Sequence, residues 1–154
     1  MKSPDEALRL WGWTLPPPPK ALAAYVPSIR VGDLLFVSGQ LPFRDGALLA
    51  VGAVPSRVSP EQAASAASQC VLNALSLIRE EVGGDWSRLI RIARVGVFVQ
   101  SDIGFGGQPT VANGASETLI KLLGDEARHA RVAVGVNALP LDASVEVELL
   151  AEIR

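Results

Sequence analysis

Residues 59–84 read SPEQAASAASQCVLNALSLIREEVGG, and residues 92–100 read IARVGVFVQ. The first stretch is a helix with both ends marked. Ser59, Pro60 and Gln62 supply a hydroxyl N-cap, a proline in the first turn and a side-chain amide three residues on, which together make a capping box. Ala64, Ala67, Val71, Leu75, Ile78 and Val82 recur at steps of three and four and form one apolar stripe. Gln62, Ser65, Gln69, Asn73, Ser76 and Glu80 fall on the other side. Gly83-Gly84 stops the helix, glycine being favoured just past a C-terminus. The second stretch alternates with period two. Ala93, Val95, Val97 and Val99 face one way; Arg94, Gly96, Phe98 and Gln100 face the other. A long helix with small residues on its stripe, followed by a half-apolar strand, predicts a helix lying on a sheet. Cys70 borders the stripe and reads as a packing residue rather than a reactive thiol.

The segments on either side extend this pattern. Upstream, SIRVGDLLFVSG predicts two strands around a turn at Gly32-Asp33. Residues 43–49 predict a hairpin turning at Asp45-Gly46. Downstream, the glycine-rich loop Gly104–Gly107 lacks the lysine and hydroxyl spacing of a phosphate loop and reads as a turn. Pro109 then opens a second helix with Ala112, Ala115, Leu119 and Leu122 as its stripe, closing at Gly124. Two strands finish the chain. In the first, Val132, Val134 and Val136 share one face, and Arg131, Ala133, Gly135 and Asn137 the other. In the second, Val145, Val147 and Leu149 share a face opposite Ser144, Glu146 and Glu148. The order β-β-β-α-β-α-β-β predicts an α+β domain, a mixed β-sheet with two helices on one face.

The remaining face of that sheet is expected to carry Arg94, Arg131, Glu146 and Glu148 among Phe98, Ala133 and Leu150. A half-apolar face of this kind suits a small symmetric oligomer whose sheets meet. The first 24 residues differ in character. Trp11 and Trp13 precede Pro16–Pro19, a run that favours extended polyproline II, and Asp5–Trp11 has room for a short amphipathic turn. The expectation is a proline-rich arm over residues 1–24, anchored on a single domain over 25–154.

Composition narrows the function. The chain has 154 residues, enough for one domain. Fourteen Lys and Arg against sixteen Asp and Glu give a formal charge of −2, which disfavours nucleic acid as a partner. One Cys and one His exclude a disulfide framework and multi-Cys or His-pair metal sites. No apolar run reaches the ~20 residues that span a bilayer. A cytoplasmic protein with no membrane partner is expected.

Tyr25, the run Ser38-Gly39-Gln40-Leu41-Pro42, Asn113, and Arg131 followed by Leu139-Pro140 and Val145-Glu146-Val147-Glu148 together resemble the RidA (YjgF-like) family. The likeness runs from about Tyr25 to the C-terminus. The resemblance implies a chorismate-mutase-like fold, assembled as a homotrimer with an inner barrel of sheets and three inter-subunit clefts. It also implies cofactor-independent hydrolysis of 2-enamine and 2-imine carboxylates to 2-keto acids and ammonia. Arg131 matches the residue that binds the substrate carboxylate and Glu146 the residue associated with the hydrolytic water. Tyr25, Ser38 and Asn113 match cleft residues. Ala133 stands where the family often has cysteine, and its backbone is the expected substrate contact. Ser116 stands where relatives are often aromatic.

These residue types suit the chemistry. A guanidinium is permanently charged and grips a carboxylate with two parallel hydrogen bonds. A carboxylate can move protons between water and a departing nitrogen if its pKa is tuned by burial. Arg131 has a structural alternative, an ion pair with Glu146 or Glu148. Ser38 reads as a strand-end hydroxyl rather than a nucleophile, since no His base accompanies it. His129 reads as a surface residue at the start of its strand, and Tyr25 as a residue that could simply pack against the arm. Two other functions fit the same residues: a non-catalytic protein that binds small carboxylates, and, with less support, an endoribonuclease.

Overall fold

The computed structural model describes residues 3–20 and 24–154. In chain order its elements are α1 (Pro4–Trp11), β1 (Ser28–Val31), β2 (Leu34–Gln40), β3 (Phe43–Arg44), β4 (Ala47–Leu48), α2 (Pro60–Glu81), β5 (Leu89–Gln100), α3 (Gln108–Leu123), β6 (Ala130–Val136) and β7 (Val145–Ile153). Five strands make one mixed sheet in the order β1-β2-β7-β5-β6. Its neighbours are antiparallel except β5 and β6, which run parallel. A parallel pair needs a crossover, and α3 supplies it. The architecture is therefore α+β with a mixed sheet, as expected, but with three helices rather than two.

The capping box forms as read. The Gln62 amide N–H donates to Ser59 Oγ at 3.1 Å, and the Ser59 N–H donates to Gln62 Oε1 at 3.0 Å. The stripe then buries Ala67, Val71, Leu75 and Ile78 completely against the sheet. Each fully buried Leu or Ile side chain contributes about 1.5–3 kcal/mol relative to exposure. The opposite side of α2 departs from expectation, because Gln69, Asn73 and Ser76 are buried too. The chain after β2 passes over them. Asn73 Nδ2 donates to the carbonyls of Leu41 and Phe43 at 3.0 and 3.1 Å, and Gln69 Nε2 donates to Asn73 Oδ1 at 2.9 Å. Asn73 is buried because that segment turns two carbonyls toward it, and Gln69 and Ser76 because Asn73 accepts from both of them. The hairpin over residues 43–48 forms a separate two-stranded sheet, with Asp45 and Gly46 both at positive φ.

The arm holds a full helix where a turn was expected. Pro4 and Leu8 of α1 are buried, and the helix packs on α3. The Trp86 indole N–H lies 3.4 Å from Asp5 Oδ1. Trp11 stacks on Trp13 with ring centroids 5.9 Å apart, and Lys121 Nζ sits 5.1 Å above the Trp11 ring. The expected boundary at residues 24 and 25 adjoins residues 21–23, which lie outside the described residues.

The largest correction concerns β6. Its parallel register sets Arg131 beside Val95, Ala133 beside Val97 and Gly135 beside Val99. Those three valines are the fully buried, helix-facing side of β5. Arg131, Ala133 and Gly135 therefore face the helices, and Val132, Val134 and Val136 face outward, the reverse of the expected assignment. Small side chains suit the helix side: a Cβ on Gly135 would collide with the amide of Gln108, at the start of α3. On β5, a register shift between Ile92 and Arg94 leaves Ala93 half-buried, and Ile92 takes the core position instead.

Candidate functional site

The residues singled out in the sequence fall into two walls. The first is built by α3 and the start of β6. Asn113 and Ser116 are three residues apart, hence neighbours on one helix face, and that face overlies Arg131. The Arg131 Nη1 group donates to Asn113 Oδ1 at 2.9 Å and to Ser116 Oγ at 3.1 Å. Among the described residues Arg131 makes no ion pair. Glu148 instead lies 3.8 Å from Arg94, so the alternative of an Arg131 pair with Glu146 or Glu148 is not what forms. Both hydrogens of Nη1 are engaged, while Nε and Nη2 make no hydrogen bond among the described residues. That leaves an exposed guanidinium edge with two parallel N–H directions. Ala133 follows two residues on, along the same face of β6.

His129 belongs to this wall, although a surface role was expected. It is half-buried, its Nδ1 lies 2.7 Å from the Ala127 carbonyl, and its Nε2 lies 3.0 Å from Ser116 Oγ. Burial lowers its pKa and the Arg131 charge adds to that, against the raising effect of the Ala127 hydrogen bond. His129 immediately precedes β6, and both it and Arg131 reach Ser116.

The second wall lies on the open face of the sheet. Tyr25, Val26, Ser38, Arg94, Gly96 and Glu148 line a cavity of about 450 Å³. The Ser38 hydroxyl donates to the Val26 carbonyl at 2.8 Å, and the Ser38 N–H donates to the Pro27 carbonyl at 2.9 Å. Ser38 thus ties the Tyr25–Pro27 segment to β2, a positioning task that needs no base. Tyr25 itself is about half exposed and turned to this cavity. One residue along, β2 bulges, and Gly39 comes so close to Glu146 that a Cβ there would collide with the carboxylate. The glycine of the S-G-Q run is thereby explained. Glu146 is half-buried, and its pKa is raised first by that burial and then by the Glu148 charge. Beneath it, burial pushes the Cys70 thiol pKa well up and Glu146 adds to the shift, as suits a packing residue.

The two walls do not meet within one chain. Strand β5 separates β6 from β7, and Arg131 and Glu146 point to opposite faces of the sheet. Among the described residues there is no group of three or more His, Cys, Asp and Glu able to hold a metal ion. Among the described residues no helix is long and apolar enough to cross a membrane.

Comparison with known proteins adds a further line. The family model described as Endoribonuclease L-PSP matches residues 17–153. Protein TCP17 of Trypanosoma cruzi is 37% identical over 148 residues, covering 96% of this chain and 92% of that protein. Among solved structures, Atu1372 of Agrobacterium tumefaciens, a protein of unknown function, is 39% identical with a TM-score of 0.91, covering 98% of this chain and 93% of that one. The YjgF gene product of E. coli is 28% identical with a TM-score of 0.63, covering 89% and 94%.

Proposed function

The chain belongs to the endoribonuclease L-PSP family, that of the YjgF and RidA proteins, and we propose that it is a hydrolytic deaminase of small 2-enamine and 2-imine carboxylates. One observation carries this reading. Arg131 is an exposed cation held by two neutral acceptors, with its outer edge unpartnered among the described residues. A carboxylate docked on that edge makes two charge-assisted hydrogen bonds. The proposed assembly is a homotrimer in which the Arg131 wall of one copy meets the Tyr25, Ser38 and Glu146 wall of another. The opposite facing of the two walls supports this, because one chain cannot bring them together.

In the shared cleft, water adds to the carbon of the C=N bond. Glu146 takes a proton from the water as the C–O bond forms and passes it to the nitrogen, giving a carbinolamine. The hydroxyl proton then moves by the same carboxylate to the amino group, the C–N bond breaks, and ammonia leaves a 2-keto acid. Every atom comes from the imine and one water, and no cofactor enters the step. A raised Glu146 pKa helps, because a group that must both accept and donate works best near the ambient pH. The test is an imine generated in situ by an amino acid oxidase. Protein is expected to speed keto-acid release, and Arg131→Ala to lower kcat/KM by about a hundredfold or more, since hydrogen bonds to charged groups are worth about 1.5–3 kcal/mol each. Equal rates with and without protein overturn the reading. A keto acid that raises the melting temperature without any turnover points instead to a carboxylate-binding protein.

The family's description favours RNA cleavage as a second reading. Against it, the single His of this chain is tied to Ser116 and Ala127, and the net charge is negative. Purified protein is expected to leave single-stranded RNA intact.

A further inference from the structure

His129 and Ser116 have no part in the chemistry just described, yet they share one line of hydrogen bonds with Arg131. The direction of that line is fixed by its far end. The Ala127 carbonyl can only accept, so His129 Nδ1 carries the hydrogen in the 2.7 Å contact. In a neutral ring Nε2 then holds a lone pair, and the Ser116 hydroxyl donates to it across 3.0 Å. The serine oxygen is left to accept from Arg131 Nη1 at 3.1 Å. The burial that disfavours a charged ring keeps this order. Because both Nη1 hydrogens lie in the guanidinium plane, acceptors at Asn113 and Ser116 together set that plane. Asn113 alone would leave the group free to swing about one bond.

We propose that Ser116 and His129 are positioning residues: the line Arg131 → Ser116 → His129 → Ala127 carbonyl holds the guanidinium edge ready for a carboxylate. The inference rests on the reading of Arg131 as the carboxylate anchor. It assigns to a hydroxyl and an imidazole the task of making that anchor rigid, so their loss weakens capture and leaves proton transfer alone. Lost pre-organisation shows in affinity.

The test uses pyruvate as ligand, the in situ imine assay and 15N NMR of the His129 ring. Wild-type protein is expected to show the Nδ1–H tautomer. Ser116→Ala is expected to weaken pyruvate binding and raise KM by about three- to tenfold, the scale of one typical net hydrogen bond, since the contacts to the carboxylate itself are kept, with kcat within about twofold because the reacting groups are untouched. Ser116→Thr should restore binding. His129→Asn keeps a donor toward Ala127 but no acceptor toward Ser116, and should act like Ser116→Ala. His129→Gln, whose carbonyl reaches the Nε2 position, should lose less. Melting curves confirm that each variant folds. An Nε2–H tautomer overturns the proposal without reference to any ligand. Pyruvate binding and KM unchanged in Ser116→Ala, in a wild-type background that binds and turns over, overturn it while sparing the anchor. A wild type that neither binds pyruvate nor turns over overturns both.

Discussion

At the scale of single residues, the site depends on what surrounds its two charges. Arg131 keeps its charge available because its partners are neutral amide and hydroxyl oxygens rather than carboxylates. Glu146 is treated in the opposite way, since burial and the nearby Glu148 charge both raise its pKa. In the proposed mechanism Glu146 acts first as a base, so the rate is expected to rise with pH as its carboxyl ionises. The raised pKa therefore moves that acid limb to higher pH than an ordinary glutamate would give. Glu148→Gln removes the like charge and leaves the larger effect of burial in place. The limb is expected to move to lower pH by part of the total shift, with Arg94 released from its 3.8 Å contact and free to reinforce the change. A pH–rate profile of kcat/KM checks this. A limb that stays put or moves upward would show that Glu148 does not act on the residue that titrates in catalysis.

Among the elements, the contact between α2 and α3 carries the tightest constraint. Gly114 lies against the backbone of Ala64, so close that a Cβ would collide with its carbonyl. The Gly114 carbonyl also accepts from Ser68 Oγ at 3.0 Å and Thr118 Oγ1 at 2.7 Å. By helix propensity Gly114→Ala should stabilise by about 1 kcal/mol. The obstacle, however, is backbone and cannot rotate away, so the helices must separate, at a cost of roughly 1–3 kcal/mol for overpacking. A lower melting temperature is expected, by a few degrees, and a rise would refute the close approach. This constraint left no mark in the sequence beyond a glycine inside a helix. The caps of α2, the hairpin turn and the strand periods were legible because each depends on residues within a few positions. Which face of β6 is covered was not, since period two separates the sides without saying which one a helix lies on. The buried Asn73 was missed for a related reason: its partners are carbonyls about thirty residues away, and Gln69 is buried through Asn73. At the site, Arg131 and Asn113 could be read from the resemblance. The line to His129 needed the turn of α3 to be seen over β6.

For the whole molecule, the open sheet face is the feature a lone chain leaves unexplained. Ile29, Val31 and Phe36 are 54%, 60% and 45% exposed, and Val134 on β6 is 39% exposed. Apolar side chains gathered on one face mark a surface that another body covers. The face also carries Tyr25, Ser38 and Glu146, so whatever covers it sits beside half of the candidate site. In the proposed assembly the occupant is a second copy, which brings its own Arg131 wall. In the proposed homotrimer, light scattering should give three times the 16.2 kDa chain mass. Phe36→Glu puts a carboxylate into that contact, at a residue that also lines the cavity beside Tyr25 and Ser38, so assembly is read from the mass and not from activity. Phe36 lies opposite Ile29 and Leu150, with no cation paired to it in the register. An unpaired buried charge costs several kcal/mol, and association that draws on this face should fail. The expected outcome is a single-chain mass, a native far-UV spectrum and loss of imine hydrolysis, all in the same variant. Loss of assembly with activity retained would mean that one chain completes the site by itself, which the opposite facing of Arg131 and Glu146 argues against.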